Sequence, residues 1–243
     1  MKYRSRYVVL LMLALVFLSM PGCQYARLLQ FKSQFQSFGR YFVFETSDMR
    51  VAPSVICLSP VLKPDDILLL SSQTRPSQID KMGVKTVWTY RMVKEGDAKK
   101  ELVISLVFNE NNKLEKASYP IQFSTLFSPE AVPQVLIEMG NANVNVKTRS
   151  LQGKRSREIP DSWIPNRAKV VAQLGVPTEE LASKNTTLMI YRYEVLQPPP
   201  ITQKIYTYIE LTCRNKDQKI ISFVSNVFGP EMGIELFSKS LSQ

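Results

Sequence analysis

A chain of 243 residues, 44% apolar and 10% aromatic, is long enough for one large or two small folded domains and too hydrophobic for a disordered tail. Its formal charge is +10, and it contains no histidine. That absence excludes Ser-His-Asp and Cys-His nucleophilic mechanisms and every histidine-ligated metal site, and it removes the side chain most used for proton transfer near neutral pH.

Three cations, Lys2, Arg4 and Arg6, precede an unbroken apolar run from Val8 to Leu18, which closes on Ser19-Met20-Pro21-Gly22-Cys23. The run of about 11 residues falls well short of the roughly 20 that a membrane-spanning helix needs, so the layout is that of a secretory signal. Its ending resembles a bacterial lipoprotein signal. The resemblance implies cleavage after Gly22, attachment of diacylglycerol to the Cys23 thiol and acylation of the new amine. Gln24 stands where an aspartate would imply retention in the inner membrane, so the expected location is the outer membrane, facing the periplasm. Setting aside the three leader cations lowers the balance to about +7, which suits anionic headgroups or an acidic partner. No nucleic-acid recognition motif is present.

Residues 1–22 are thus read as signal and 23–60 as a lipid-anchored tether with N-terminal strands. Between Gln24 and Ser37, Leu28, Phe31 and Phe35 fall at helical spacing. Two readings are open: an amphipathic helix on the membrane, or a tether whose apolar residues dock on the domain. Strands are expected from Arg40 to Thr46 and from Pro53 to Leu58, both dense in aromatic or β-branched residues. Cys57 and Cys213 each fall in such a strand, and either a disulfide or two buried thiols fits an exported protein.

After Pro60 the sequence repeats a pattern. A helix is expected to end at Met82-Gly83-Val84 and another at Leu174-Gly175-Val176, each glycine marking a left-handed stop. Aromatic strands follow, with Trp88, Tyr90 and Arg91 in the first and Tyr191, Arg192 and Tyr193 in the second. Loops at Lys94 to Lys100 and Leu196 to Gln203 lead to second strands, Leu102 to Phe108 and Ile205 to Cys213. Alternation gathers Leu102, Ile104, Leu106 and Phe108 on one face, and Ile205, Thr207, Ile209, Leu211 and Cys213 on the matching one. Asn-rich turns at 109–113 and 215–219 precede third strands, Leu114 to Phe123 and Ile220 to Phe228. Each copy closes on Pro-Glu and a helical pattern. In the first, Val132, Val135, Leu136 and Met139 form one apolar face, with regular helix beginning at Pro133; in the second, the pattern is Met232, Leu236 and Phe237.

The expected fold is α+β: two tandem modules, 61–126 and 127–243, each with helices on a roughly three-stranded antiparallel sheet. The run of helix, Leu174-Gly175-Val176-Pro177, Tyr191-Arg192-Tyr193, strand, turn and strand resembles the SmpA/OmlA (BamE) outer-membrane lipoproteins. In tandem it is similar to the fold of the β-lactamase-inhibitor proteins. The resemblance implies a non-enzymatic accessory role in an envelope assembly. Trp88, Tyr90, Arg91, Tyr191, Arg192 and Tyr193 are then the candidate interaction surface, since aromatics and arginine dominate binding hot spots. Packing in the core is the other fate open to them.

Asp65-Asp66 and Glu179-Glu180 are adjacent carboxylates, but neighbours in sequence do not converge on one substrate atom; acids at helix starts explain them better. No phosphate loop, metal-ligand spacing or nucleophile elbow occurs, so no catalytic residue, metal or cofactor is expected. A basic stretch, Lys147, Arg149, Lys154, Arg155 and Arg157, reads as a solvated loop or as a contact to phosphate headgroups, with Lys154, Arg155 and Arg157 as its candidates. The alternative function is therefore binding or sensing of lipid or an envelope polymer.

Overall fold

A computed structural model describes residues 24–46, 52–145, 150–154, 160–226 and 231–235. The expected lipoprotein signal, Gly22 and Cys23 included, lies outside them. The first element is helix α1, residues 24–36. Its apolar stripe docks on the domain, as in the second of the two readings for this segment. Phe31 and Phe35 pack around Phe42, with ring centroids 5.7 and 4.8 Å from it. Helix α2, Phe38–Tyr41, takes the start of the expected first strand and leaves only Phe42–Glu45 as β1. The helical turn there places Phe38 and Phe42 in a stack at 5.4 Å, a contact that an extended chain would put out of reach. Strand β2 is Ser54–Cys57.

Helix α3, Pro64–Leu70, starts with proline, whose missing donor costs nothing there, and carries Asp65 and Asp66 in its first turn. The segment expected to end a helix at Gly83 is instead strand β3, Gln78–Met82, which turns through Gly83 and Val84 into β4, Lys85–Lys94. Gly83 does adopt positive φ, at 62°, but the tight β-turn uses that freedom. Strand β5, Asp97–Phe108, starts after a turn at Gly96, so the expected loop to Lys100 is largely strand. Strand β6, Leu114–Ser118, stops five residues short of expectation because Pro120 caps helix α4, Ile121–Leu126. Helix α5, Ala131–Asn141, begins two residues before Pro133, which falls within the first turn where no internal hydrogen bond is lost.

The remaining strands are β7 (Asn143–Asn145), β8 (Ser150–Lys154), β9 (Glu179–Ala182), β10 (Thr186–Val195), β11 (Ile205–Arg214), β12 (Ile220–Asn226) and β13 (Glu231–Glu235). The expected closing helix at Glu231 is thus a strand, paired parallel to β8 within the expected basic loop. Gly233 is a poor helix residue, and Met232 and Ile234 alternate at the strand period. Helix α6, Arg167–Leu174, matches expectation. Asn166 caps it by accepting from the Lys169 amide at 2.9 Å, and Gly175 ends it at φ 81°.

All thirteen described strands join one sheet, mostly antiparallel, in the order β1-β2-β6-β5-β4-β10-β11-β12-β13-β8-β7, with β3 on β4 and β9 on β10. Matched geometry recurs along it. Ser77 Oγ accepts from the Arg91 amide and Thr178 Oγ1 from the Arg192 amide, both at 3.0 Å. Bulges fall at Val107/Phe108 and at Thr212/Cys213. The carbonyl just before each helix cap, Leu62 or Pro165, accepts from the first residue of β6 or β12, Leu114 or Ile220. Where β4 meets β10 the bonds are reciprocal: Glu95 N–H donates to the Arg192 carbonyl and Leu196 N–H to that of Arg91, both at 2.9 Å.

Across strands β6, β5, β4, β10 and β11 one face of this sheet is buried. Trp88, Tyr90, Leu106 and Phe108 cluster with Ile67 of α3. Met189, Tyr191, Leu211 and Cys213 cluster with Val170 and Leu174 of α6. Between these two clusters the sheet is roofed by α4 and α5.

Candidate functional site

The roof does not fill the space beneath it. A partly enclosed cavity of about 300 Å³ lies between α4, α5 and the middle of the sheet. Its floor comes from alternate residues of neighbouring strands: Met92 of β4, Leu102 and Ile104 of β5, Tyr193 of β10, and Thr207 and Ile209 of β11. The strand pairings Met92↔Leu102 and Tyr193↔Thr207 hold these side chains on one face. Phe123 of α4 and Val132, Val135, Leu136 and Met139 of α5 form the roof, so the apolar stripe expected for α5 is the wall of this cavity. Phe127, in the turn between the two helices, also lines it.

Among the described residues, no Lys, Arg, Asp or Glu lines it. Polarity is confined to a few hydroxyls, and one is unusual. Tyr193 is 1% exposed, and its hydroxyl has no hydrogen-bond partner among the described residues. Burial pushes its pKa above the ordinary tyrosine value, so the group remains a protonated donor at neutral pH. The cross-strand neighbour Thr207 donates its hydroxyl proton to the Asn226 carbonyl.

Of the candidate interaction surface, Trp88, Tyr90, Tyr191 and Tyr193 are buried, so these aromatics form core and cavity wall rather than an outer face. Only Arg91 and Arg192 face solvent, where Arg91 pairs with Glu101 at 2.5 Å and Arg192 with Glu95 at 3.3 Å. Cys57 and Cys213 are free buried thiols. Five strand steps, from β2 through β6, β5, β4 and β10 to β11, separate them. At about 4.8 Å per step they lie far beyond the ~7 Å Cα separation a disulfide tolerates. Burial pushes the Cys57 thiol up to about 12, which leaves it neutral and unreactive at physiological pH.

Asp65-Asp66 do stand at a helix start, but Glu179-Glu180 lie in β9, where Glu180 pairs with Arg167 at 2.8 Å. Lys154 closes β8, while Arg155 and Arg157 lie outside the described residues. Among the described residues, no group of three or more His, Cys, Asp or Glu is placed to hold a metal, and no helix is long and apolar enough to cross a membrane. The sequence reading missed the α4 half of the roof because it extended β6 through Phe123. The available signal was Pro120 followed by Phe123 and Phe127, four apart.

Comparison with known proteins finds no matching family profile, no similar curated protein and no similar solved structure. Nothing in it ties the chain to the SmpA/OmlA lipoproteins.

Proposed function

We propose that this protein is a non-enzymatic, lipid-anchored protein of the bacterial envelope that binds an apolar ligand in the cavity beneath α4 and α5. The cavity carries the proposal. Leaving apolar core unfilled costs about 24 cal/mol per Å³. For 300 Å³ the cost is on the order of 7 kcal/mol, an upper bound because the space is partly open. Folded domains have only about 5–15 kcal/mol in total. Water is a poor filler for such walls, whereas each methylene buried there returns about 0.8 kcal/mol. The volume stands at the lower end of the ~300–1,000 Å³ range of small-molecule sites.

The envelope address rests on Gly22 and Cys23, and the outer-membrane location on Gln24. Two tandem α+β modules, 61–126 and 127–243, are supported by the recurring hydrogen bonds, bulges and helix-to-strand bonds along the sheet. In this reading the duplication provides a wide floor, and the segment joining the modules supplies the roof.

The test uses a fatty acid probe whose fluorescence rises in apolar surroundings. The expected result is saturable binding of one probe per chain, reduced at least tenfold by Val135→Trp, which fills the cavity from α5. Absent or non-saturable binding, or binding indifferent to that substitution in a folded protein, would refute the proposal.

A second reading, an envelope assembly module, is favoured by the β3–β4 hairpin, where Ile79, Met82 and Val84 are 56%, 67% and 70% exposed. A photocrosslinker at position 84 in living cells should then capture one reproducible envelope partner; repeated capture of none removes this reading.

A further inference from the structure

The start of α1 and the tip of the β3–β4 hairpin stand at the same end of the sheet, and a chain of contacts joins them. Arg27, in the first turn of α1, pairs with Asp66 in the first turn of α3. The segment entering α3 is tied to the sheet by the Leu114 amide, which donates to the Leu62 carbonyl at 2.8 Å. Leu114 pairs with Phe108, and Phe108 with Thr86, the second residue of β4. Two strand steps of about 4.8 Å therefore carry the start of α1 across to the hairpin that turns at Gly83 and Val84.

That end presents apolar side chains to solvent. Met82 and Val84 at the hairpin tip are exposed, and so are Tyr25 and Leu29, one turn apart at the start of α1. Lys81 and Lys85 bracket the tip and are exposed as well. Lys85 pairs with Glu115 at 2.9 Å, but both partners are solvated, so the pair holds it weakly. The matching hairpin, β9–β10, provides the contrast: its tip is Ser183-Lys184-Asn185, without an apolar residue. Strands β4 and β10 pair over their last three residues, so the two tips point to opposite ends, up to roughly 50 Å apart at ~3.3 Å per residue. The apolar tip is the one beside α1, whose first residue follows Cys23 directly.

We propose that the β3–β4 hairpin tip enters the headgroup region of the bilayer that holds Cys23, with Met82 and Val84 at the acyl boundary and Lys81 and Lys85 on anionic phosphates. This inference rests on the lipid anchorage proposed above and is independent of the cavity. Lysines flanking apolar residues suit such a boundary, because their stems lie along hydrocarbon while the ammonium groups stay among phosphates. Two inserted side chains bind weakly alone. The lipid beside α1 makes the contact intramolecular and so raises the effective concentration of the membrane. A second attachment point fixes which end of the sheet faces the bilayer, a choice that one anchor leaves free. The position of the tip beside the anchored end, and its lysines, favour a lipid surface over a protein partner.

The experiment places the full chain, purified from the membranes in which it is made, in vesicles of phosphatidylethanolamine and phosphatidylglycerol. It carries an environment-sensitive fluorophore on Val84→Cys or, as the far-end control, on Lys184→Cys; Cys57 and Cys213 are buried and do not compete for label. Nitroxide-bearing lipids should quench the label at 84 and leave the label at 184 bright. Lys81→Gln should lower the inserted-to-free ratio read at 84 about fivefold, and Met82→Asp should abolish the quenching in protein that still floats with the vesicles. Equal quenching at both positions, or quenching at 84 unmoved by either substitution, overturns the hairpin contact and leaves the anchorage standing. So does an unquenched label at 84 on floating protein, which would leave the tip to a protein partner. Protein that carries no lipid and fails to float overturns both.

Discussion

Arg27→Met should cost about 2–3 kcal/mol of folding stability and release α1 from the body of the protein. Arg27 grips Asp66 through two bonds, at 2.8 and 2.7 Å, across 39 residues of sequence. Asp66 is fully buried, while Arg27 retains 25% of its side-chain exposure. Removing the arginine therefore strands a carboxylate in the core with the Lys63 amide, at 2.8 Å, as its remaining mapped partner. The partial exposure of Arg27 is why the expected loss sits below the ~3–5 kcal/mol seen for fully buried pairs. Urea denaturation gives the stability change, and trypsin cleavage at Lys32 under native conditions reports the release of α1. A loss under about 0.5 kcal/mol, the scale of an ordinary surface change, would mean that the pair is incidental. The functional weight of this contact comes from position. Helix α1 begins at residue 24, immediately after the proposed lipid-bearing Cys23, so under the proposed anchorage a docked α1 would set how the domain sits relative to the bilayer.

Gly140→Ala should cost about 2 kcal/mol, which for a chain of this size lowers Tm by about 4–8 °C. An added Cβ would stand 2.7 Å from the Gln36 amide nitrogen and 2.9 Å from both the carbonyl carbon and the Cβ of Phe35. Two of these are backbone atoms of α1, so the clash can be relieved only by parting α1 from α5. The Lys32 ammonium, 2.6 Å from the Gly140 carbonyl, would lose its partner in the same movement. Alanine in a helix interior ordinarily gains up to about 1 kcal/mol over glycine, which makes a net loss diagnostic of the crossing. Gly39→Ala is the control: nothing lies within 4 Å of its added Cβ, and it should be close to neutral. Because α5 also carries Val132, Val135, Leu136 and Met139, the Gly140 variant should weaken probe binding as well.

Local signals in this sequence were legible where one element answers to one pattern. The alternation in β5 and β11 identified the buried face correctly, and the end of α6 followed from its terminal glycine. Signals shared by two structures misled. Gly83 and Gly175 both take positive φ, yet one turns a hairpin and the other ends a helix, and only tertiary pairing decides between them. Pro-Glu opens a helix region near Pro129 but leads into strand β13 at Glu231, where β8 and β12 supply partners on both sides. Of the two states left open for Cys57 and Cys213, the buried free thiols hold for a non-local reason, the order of strands between them. The cavity was illegible for the same kind of reason. Its floor residues follow from strand alternation and its roof from helical periodicity, but the gap between them depends on how far α4 and α5 stand off the sheet. Tyr193 was singled out in the sequence as a candidate interaction residue; its place in the cavity wall emerges only once β10 and β11 lie side by side beneath α5.

Native mass spectrometry of the full-length protein, gently extracted from the membranes in which it is made, tests the central claim most directly. A bound apolar ligand predicts one non-covalent adduct per chain with the mass of a small apolar molecule, absent from folded Val135→Trp prepared in the same way. A wild-type chain that emerges without any adduct, or an identical adduct on Val135→Trp, would contradict the account.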